Sequence, residues 1–91
     1  MGRRVDPFRR MVITLFIRPL CGMCAVMKQW LADLRLAYRE IDVSAVPEAR
    51  RILRGLTRGE LSVPTLVLAD GRVLVEPARE TLLQALSQRP R

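Results

Sequence analysis

Apolar positions change period several times along the chain, and each change marks an element. Residues 11–17 (MVITLFI) are apolar at every position but Thr14. A run rich in β-branched and aromatic residues predicts a strand buried on both faces, as in the parallel pairs of an α/β sheet. Arg18 and Pro19 end it, because proline has no amide with which to extend a central ladder. Over 22–36 the apolar positions become Val26, Met27, Trp30, Leu31 and Leu34. Spacings of three and four make one face of a helix.

Over residues 37–43, Tyr38, Ile41 and Val43 are interrupted by Arg39, Glu40 and Asp42, which predicts an edge or half-exposed strand. Strand, helix and strand in that order imply a right-handed parallel crossover. A second helix is expected from Ser44 to Gly55. Pro47 suits its first turn, Ala49, Ile52, Leu53 and Leu56 form its stripe, and Gly55 is its terminator. Residues 57–62 read as a loop and Val63 to Ala69 as a third strand. Asp70-Gly71 is a hairpin signal that makes the return strand, Arg72 to Val75, antiparallel. Pro77 then opens a last helix, with Ala78, Leu82, Leu83 and Leu86 facing inward, before a polar tail at 88–91.

Residues 1–10 show no periodicity and read as a flexible basic leader, with Phe8 tucked against the body. Met11 is a candidate alternative start of translation that would make the leader dispensable. The remainder, 11–91, reads as one domain without repeats. The order β-α-β-α-β-β-α gives an α/β fold class. It is the order of the thioredoxin fold, a four-stranded mixed sheet flanked by helices.

The two cysteines, Cys21 and Cys24, are the only ones in the chain, and they fall where the first strand hands over to the first helix. First-turn amides lack intrahelical partners and present partial positive charge. A thiol placed there loses its proton easily and becomes a nucleophile. Arg18, three residues earlier, favours the same charged form. Cys24 lies one turn further on the same side of the helix, where it would stay protonated until a mixed disulfide on Cys21 needs resolving. Gly22 is expected to let the chain turn beside the sulfur and leave room for substrate. Met23 is an apolar cover for the active face. Val63-Pro64, leading into Thr65, supplies a substrate platform: a cis proline there would leave the Val63 backbone free to pair with an extended substrate as an added strand. Arg54 and Arg58, just ahead of that loop, are candidates to bind a thiol's carboxylate.

Each of these has a plainer reading. Two cysteines are half of a zinc or iron–sulfur site, which usually needs four ligands. The chain has no histidine and no third cysteine, so a metal would require a bridged dimer or external thiols, and no bound metal is expected. The cysteines could also be inert and buried, the arginines solvated, and Val63-Pro64 merely a strand start.

Composition adds a net charge of +7, with Lys28 the lone lysine among 16 basic residues. That suits a codon or thermal bias, or attraction to anionic partners. A basic module would need a stacking platform or a recognised motif to bind nucleic acid, and neither is present, so nucleic acid is not an expected partner. The longest apolar run is far short of a membrane span, and no small-residue cleavage site follows the arginine-rich start. A cytoplasmic monomer without membrane contact is expected. In that compartment a Cys-x-x-Cys pair is more often redox-active or metal-binding than a structural staple.

Taken together, these residues resemble the glutaredoxin family over residues 11–88. The likeness rests on the strand into Arg18-x-x-Cys21-Gly22-Met23-Cys24, on Tyr38 to Val43, on Ser62-Val63-Pro64-Thr65, and on Ala69 to Arg72 with Pro77. The bacterial mycoredoxin-like branch looks most similar. The resemblance implies a thiol–disulfide oxidoreductase acting on protein disulfides, or on mixed disulfides between proteins and a small thiol. It implies Cys21 as the attacking sulfur, Cys24 as the second cysteine and Pro64 as the cis proline. It also implies glutathione, mycothiol or a similar thiol, or a thioredoxin reductase, as electron donor. Glutathione-type members differ at two places: an aromatic residue stands where this chain has Met23, and a Gly-Gly pair where it has Val75-Glu76-Pro77. The reading set against the enzyme is a metal-bridged dimer or metal carrier built on the same cysteines.

Overall fold

The computed structural model describes residues 12–88. The leader, Met11 and residues 89–91 of the tail lie outside the described residues. The elements run β1 Ile13–Ile17, α1 Gly22–Asp33, β2 Tyr38–Asp42, α2 Pro47–Leu56, β3 Thr65–Val67, β4 Val73–Val75 and α3 Arg79–Ser87. The order is the one expected, and so is the thioredoxin fold.

The sheet is ordered β2-β1-β3-β4. β1 pairs parallel with β2, matching Ile13 to Tyr38 and Ile17 to Asp42, and antiparallel with β3, matching Leu15 to Leu66. β3 and β4 form the antiparallel hairpin, Leu66 facing Leu74. As an interior strand β1 needs apolar residues on both faces, which its unbroken run supplies. Ile13, Leu15 and Ile17 point to a core shared with Met27 and Leu31 of α1 and Leu82 and Ala85 of α3. Phe16 points to the opposite core, with Val43, Ala49 and Leu53. β2 is an edge strand, as its interleaved charges suggest.

Several boundaries and faces differ from the sequence pattern. α1 stops at Asp33, not Leu36. Arg35 takes φ +58°, and Leu36 and Arg35 return their amides to Leu31 and Ala32. This is a Schellman ending with arginine in the place where glycine is usual. α2 runs through Gly55 to Leu56. It ends the same way, with Arg58 at φ +61° and the Gly59 amide on the Arg54 carbonyl, so Gly55 is not its terminator. β3 begins at Thr65 rather than Val63. The last helix begins at Arg79, leaving Pro77 buried before it and Ala78 exposed at its cap. Of the expected inward faces, Ile52 (49% exposed), Val26 and Leu34 instead meet solvent. Ala85, not Ala78, completes the buried side of α3 with Leu82.

Candidate active site

Cys21 is the N-cap of α1, with extended backbone at φ −104° and ψ 107°. Its sulfur accepts the backbone N–H of Cys24 at 3.1 Å, and its carbonyl accepts the N–H of Ala25 at 3.2 Å. A cap satisfies one of the orphan amides of a helix start, and here a sulfur does so in place of the usual oxygen. The two sulfurs lie at disulfide distance, with Cα atoms 5.2 Å apart.

The two cysteines are not equivalent. Cys21 is half-buried and lies at the edge of the main core, whereas Cys24 is 2% exposed and part of that core. A reagent reaching the pair from solvent meets Cys21. The difference follows from the helix: Cys24 shares its inward face with Met27 and Leu31, while Cys21 caps the end.

A cleft of about 470 Å³ opens beside the pair. Arg18, Leu20, Cys21, Gly22, Cys24 and Lys28 contribute to its walls, and no aspartate or glutamate does. Arg18 is where the sequence placed it, exposed at the end of β1. Lys28 was not singled out. It stands four residues after Cys24 and seven after Cys21, one helical face, so the spacing alone could have found it. Its ammonium is 3.2 Å from Glu40 of β2, which holds it at that wall.

Gly22 does not make the turn expected of it. It is the first residue of α1, and a Cβ there would meet nothing within 4 Å. The turn falls on Leu20, at φ +59°. Gly22 therefore leaves the approach to the sulfur open, and Met23, 54% exposed, stands beside it.

The Val63-Pro64 bond is cis. Val63 is half-buried and packs against both cores, and Pro64 is fully buried. Neither backbone group of Val63 has a hydrogen-bond partner among the described residues. Thr65 is fully buried and donates its hydroxyl to the Ser62 carbonyl at 2.8 Å. Its side chain braces the loop from within, and any contact to substrate falls to the backbone. Arg54 and Arg58 are exposed at the end of α2 and do not line the cleft. Glu76, at φ +44°, donates its amide to the Pro64 carbonyl at 2.9 Å.

The family profile described as Glutaredoxin matches residues 13–74. Two Mycobacterium tuberculosis proteins that carry a provisional glutaredoxin name, one from each of two strains, are 31% identical over 68 residues. That match spans 75% of this chain and 81% of theirs. Among solved structures, the thioredoxin-like protein BC3987 superposes with a TM-score of 0.71 at 33% identity, covering 79% of this chain and 96% of that one. A glutaredoxin of Archaeoglobus fulgidus superposes with a TM-score of 0.75 at 16% identity, over 97% of this chain and all of its own, a likeness of fold.

Proposed function

The chain belongs to the glutaredoxin family and is a glutaredoxin-like thiol–disulfide oxidoreductase, and on that premise we propose a division of labour and a class of electron donor. Cys21 attacks, Cys24 resolves, and the donor is a small thiol recognised without a carboxylate, as in the mycoredoxin-like branch, rather than glutathione.

The observation that carries the first part is the asymmetry of the pair. Only Cys21 combines access with a helix-cap position. In the reduced protein the Cys24 amide and the other first-turn N–H groups favour negative charge on its sulfur, and Arg18 and Lys28 add positive potential at the same wall. The thiolate of Cys21 attacks one sulfur of the substrate disulfide along the S–S axis. That bond breaks, and the departing thiolate takes a proton from water. Cys24 then loses its proton, attacks the Cys21 sulfur and releases the second substrate thiol. The Cys21–Cys24 disulfide is left, and the substrate has gained two electrons and two protons. Two donor thiols reverse the change on the protein, the first forming a mixed disulfide on Cys21 and the second releasing it.

The second part rests on Glu76. Where glutathione-type members have a Gly-Gly pair whose amides hold the thiol's carboxylate, this chain has an anionic side chain. Its amide is already committed to Pro64, and the amide of the next residue is absent, because that residue is Pro77. A carboxylate arriving at this pair finds repulsion from Glu76 and neither of the two amides to receive it.

Trapping tests both parts. Cys24→Ser protein, exposed in turn to the disulfides of glutathione, mycothiol and cysteamine, should accumulate an adduct on Cys21, and the yields of the adducts, each identified by its mass, should rank glutathione last. An adduct on no thiol, or glutathione preferred, overturns the proposal.

A further inference from the structure

Leu20 is 104% exposed and holds φ +59°. Either feature alone is unremarked on a surface. Together they are costly, because a residue with a Cβ is disfavoured in the left-handed region and a fully solvated leucine gains nothing from packing. Asparagine, aspartate or glycine would take the same backbone more readily. This leucine precedes Cys21 directly, and Met23, 54% exposed, follows it. Two solvated apolar side chains thus bracket the half-buried sulfur.

We propose that Leu20, with Met23, is the docking anchor for protein substrates. The occupant is an extended segment of a disulfide-bearing partner, with apolar side chains next to its cysteine and a carboxylate within two residues. This rests on the oxidoreductase reading above and names the substrate class of that site.

Three observations select this occupant. Arg18 and Lys28 line the cleft beside Cys21 and no acidic residue does; Lys28 is shared with Glu40, whereas Arg18 has no carboxylate partner among the described residues and is the charge left for a ligand. That wall complements an acidic segment. The unpaired backbone of Val63 suits an extended chain. A net charge of +7 works against a second copy of this protein on the same face. A small thiol has no need of two apolar flanks, whereas burying one leucine side chain between protein surfaces changes affinity by about tenfold or more.

Three ten-residue peptides with serine in place of the disulfide cysteine test this by calorimetric titration. The first carries leucine on both sides of the serine and a glutamate two residues away, the second replaces the glutamate with glutamine, and the third replaces both leucines with serine. The first should bind the wild-type protein about tenfold more tightly than the third. Leu20→Asn, which suits a positive φ and so preserves the fold, should erase that preference, and Met23→Ser should reduce it. Arg18→Gln should erase the preference of the first peptide over the second. Equal binding of the first and third peptides, or a preference untouched by Leu20→Asn, overturns the proposal. The peptides carry no sulfur, so the result does not depend on thiol exchange. If the first peptide binds while its disulfide form is never reduced, the docking surface stands and the oxidoreductase reading falls.

Discussion

The backbone amide of Glu76 donates to the carbonyl of Pro64 at 2.9 Å, and so ties the segment before α3 to the loop that carries the cis bond. On the proposed reading the contact takes up an amide that a carboxylate-bearing thiol would otherwise use, and the side chain of the same residue is anionic. Glu76 also sits at φ +44°, a conformation that glycine takes without the Cβ penalty.

Glu76→Gly should therefore improve the use of glutathione. Removing one surface charge from the path of a carboxylate is worth up to ~1 kcal/mol, or about two- to fivefold in KM. Steady-state reduction of a mixed-disulfide substrate with glutathione as donor checks it. The melting temperature should not fall, because relief at positive φ offsets the added freedom of glycine in the unfolded chain.

The unequal burial of the cysteines makes the two serine variants diverge. Cys21→Ser should lose all reductase activity. Cys24→Ser should lose reduction of a protein disulfide while still removing a single small thiol from a protein mixed disulfide. Equal loss in both variants on the mixed-disulfide substrate would contradict the assigned roles.

Lys28 reaches the cleft from the same side of α1 as the cysteines, with its ammonium on Glu40. Lys28→Gln should raise the midpoint of Cys21 alkylation and so slow the reaction by roughly twofold to fivefold at pH values below that midpoint, the range expected of one partly screened charge. Stability should change by less than about 1 kcal/mol, since the ion pair is well exposed. Rates with iodoacetamide, which is neutral, separate this effect from simple attraction of an anionic reagent.

Much of this arrangement is legible in the residue pattern, and the physical reasons are local. β1 reads as an interior strand because an unbroken apolar run has no solvent face to spare. The cap reads from Cys21 because proline at 19 ends the strand and the three-to-four spacing begins just after. What escapes the pattern is long-range or carried by an atypical residue. The ends of α1 and α2 turn on Arg35 and Arg58 in the left-handed region, where only glycine or asparagine would have signalled a stop. Gly22 looks like the turn residue because it is a glycine, yet Leu20 takes the turn. Thr65 reads as a substrate contact from its place after Pro64, and only the fold shows its hydroxyl bonded inward to Ser62. Lys28 reads as a solvated helix residue until the cleft is seen.

Acid stability should follow two carboxylates. The Ser44 hydroxyl at 2.6 Å, and then its amide at 2.8 Å, hold Asp42 below the usual carboxylate range. The Arg72 amide, and then its guanidinium, do the same for Asp70 in the hairpin. Both are ionised more readily folded than unfolded. Their contribution is therefore complete above the unfolded value of about 3.9 and is lost as pH falls through the lowered folded values. Melting temperatures from pH 5 down to pH 2.5 should decline, and Asp42→Asn with Asp70→Asn should flatten that decline.

The central claim is that the Cys21 sulfur, capped by the helix amides, is ionised at neutral pH in the reduced protein. The pH dependence of its alkylation by iodoacetamide, followed in Cys24→Ser protein so that one thiol reports, measures this directly. A midpoint clearly below the ~8.5 of an ordinary thiol, within about 3.5–7.5, is the predicted result. A midpoint at or above the ordinary value would contradict the account.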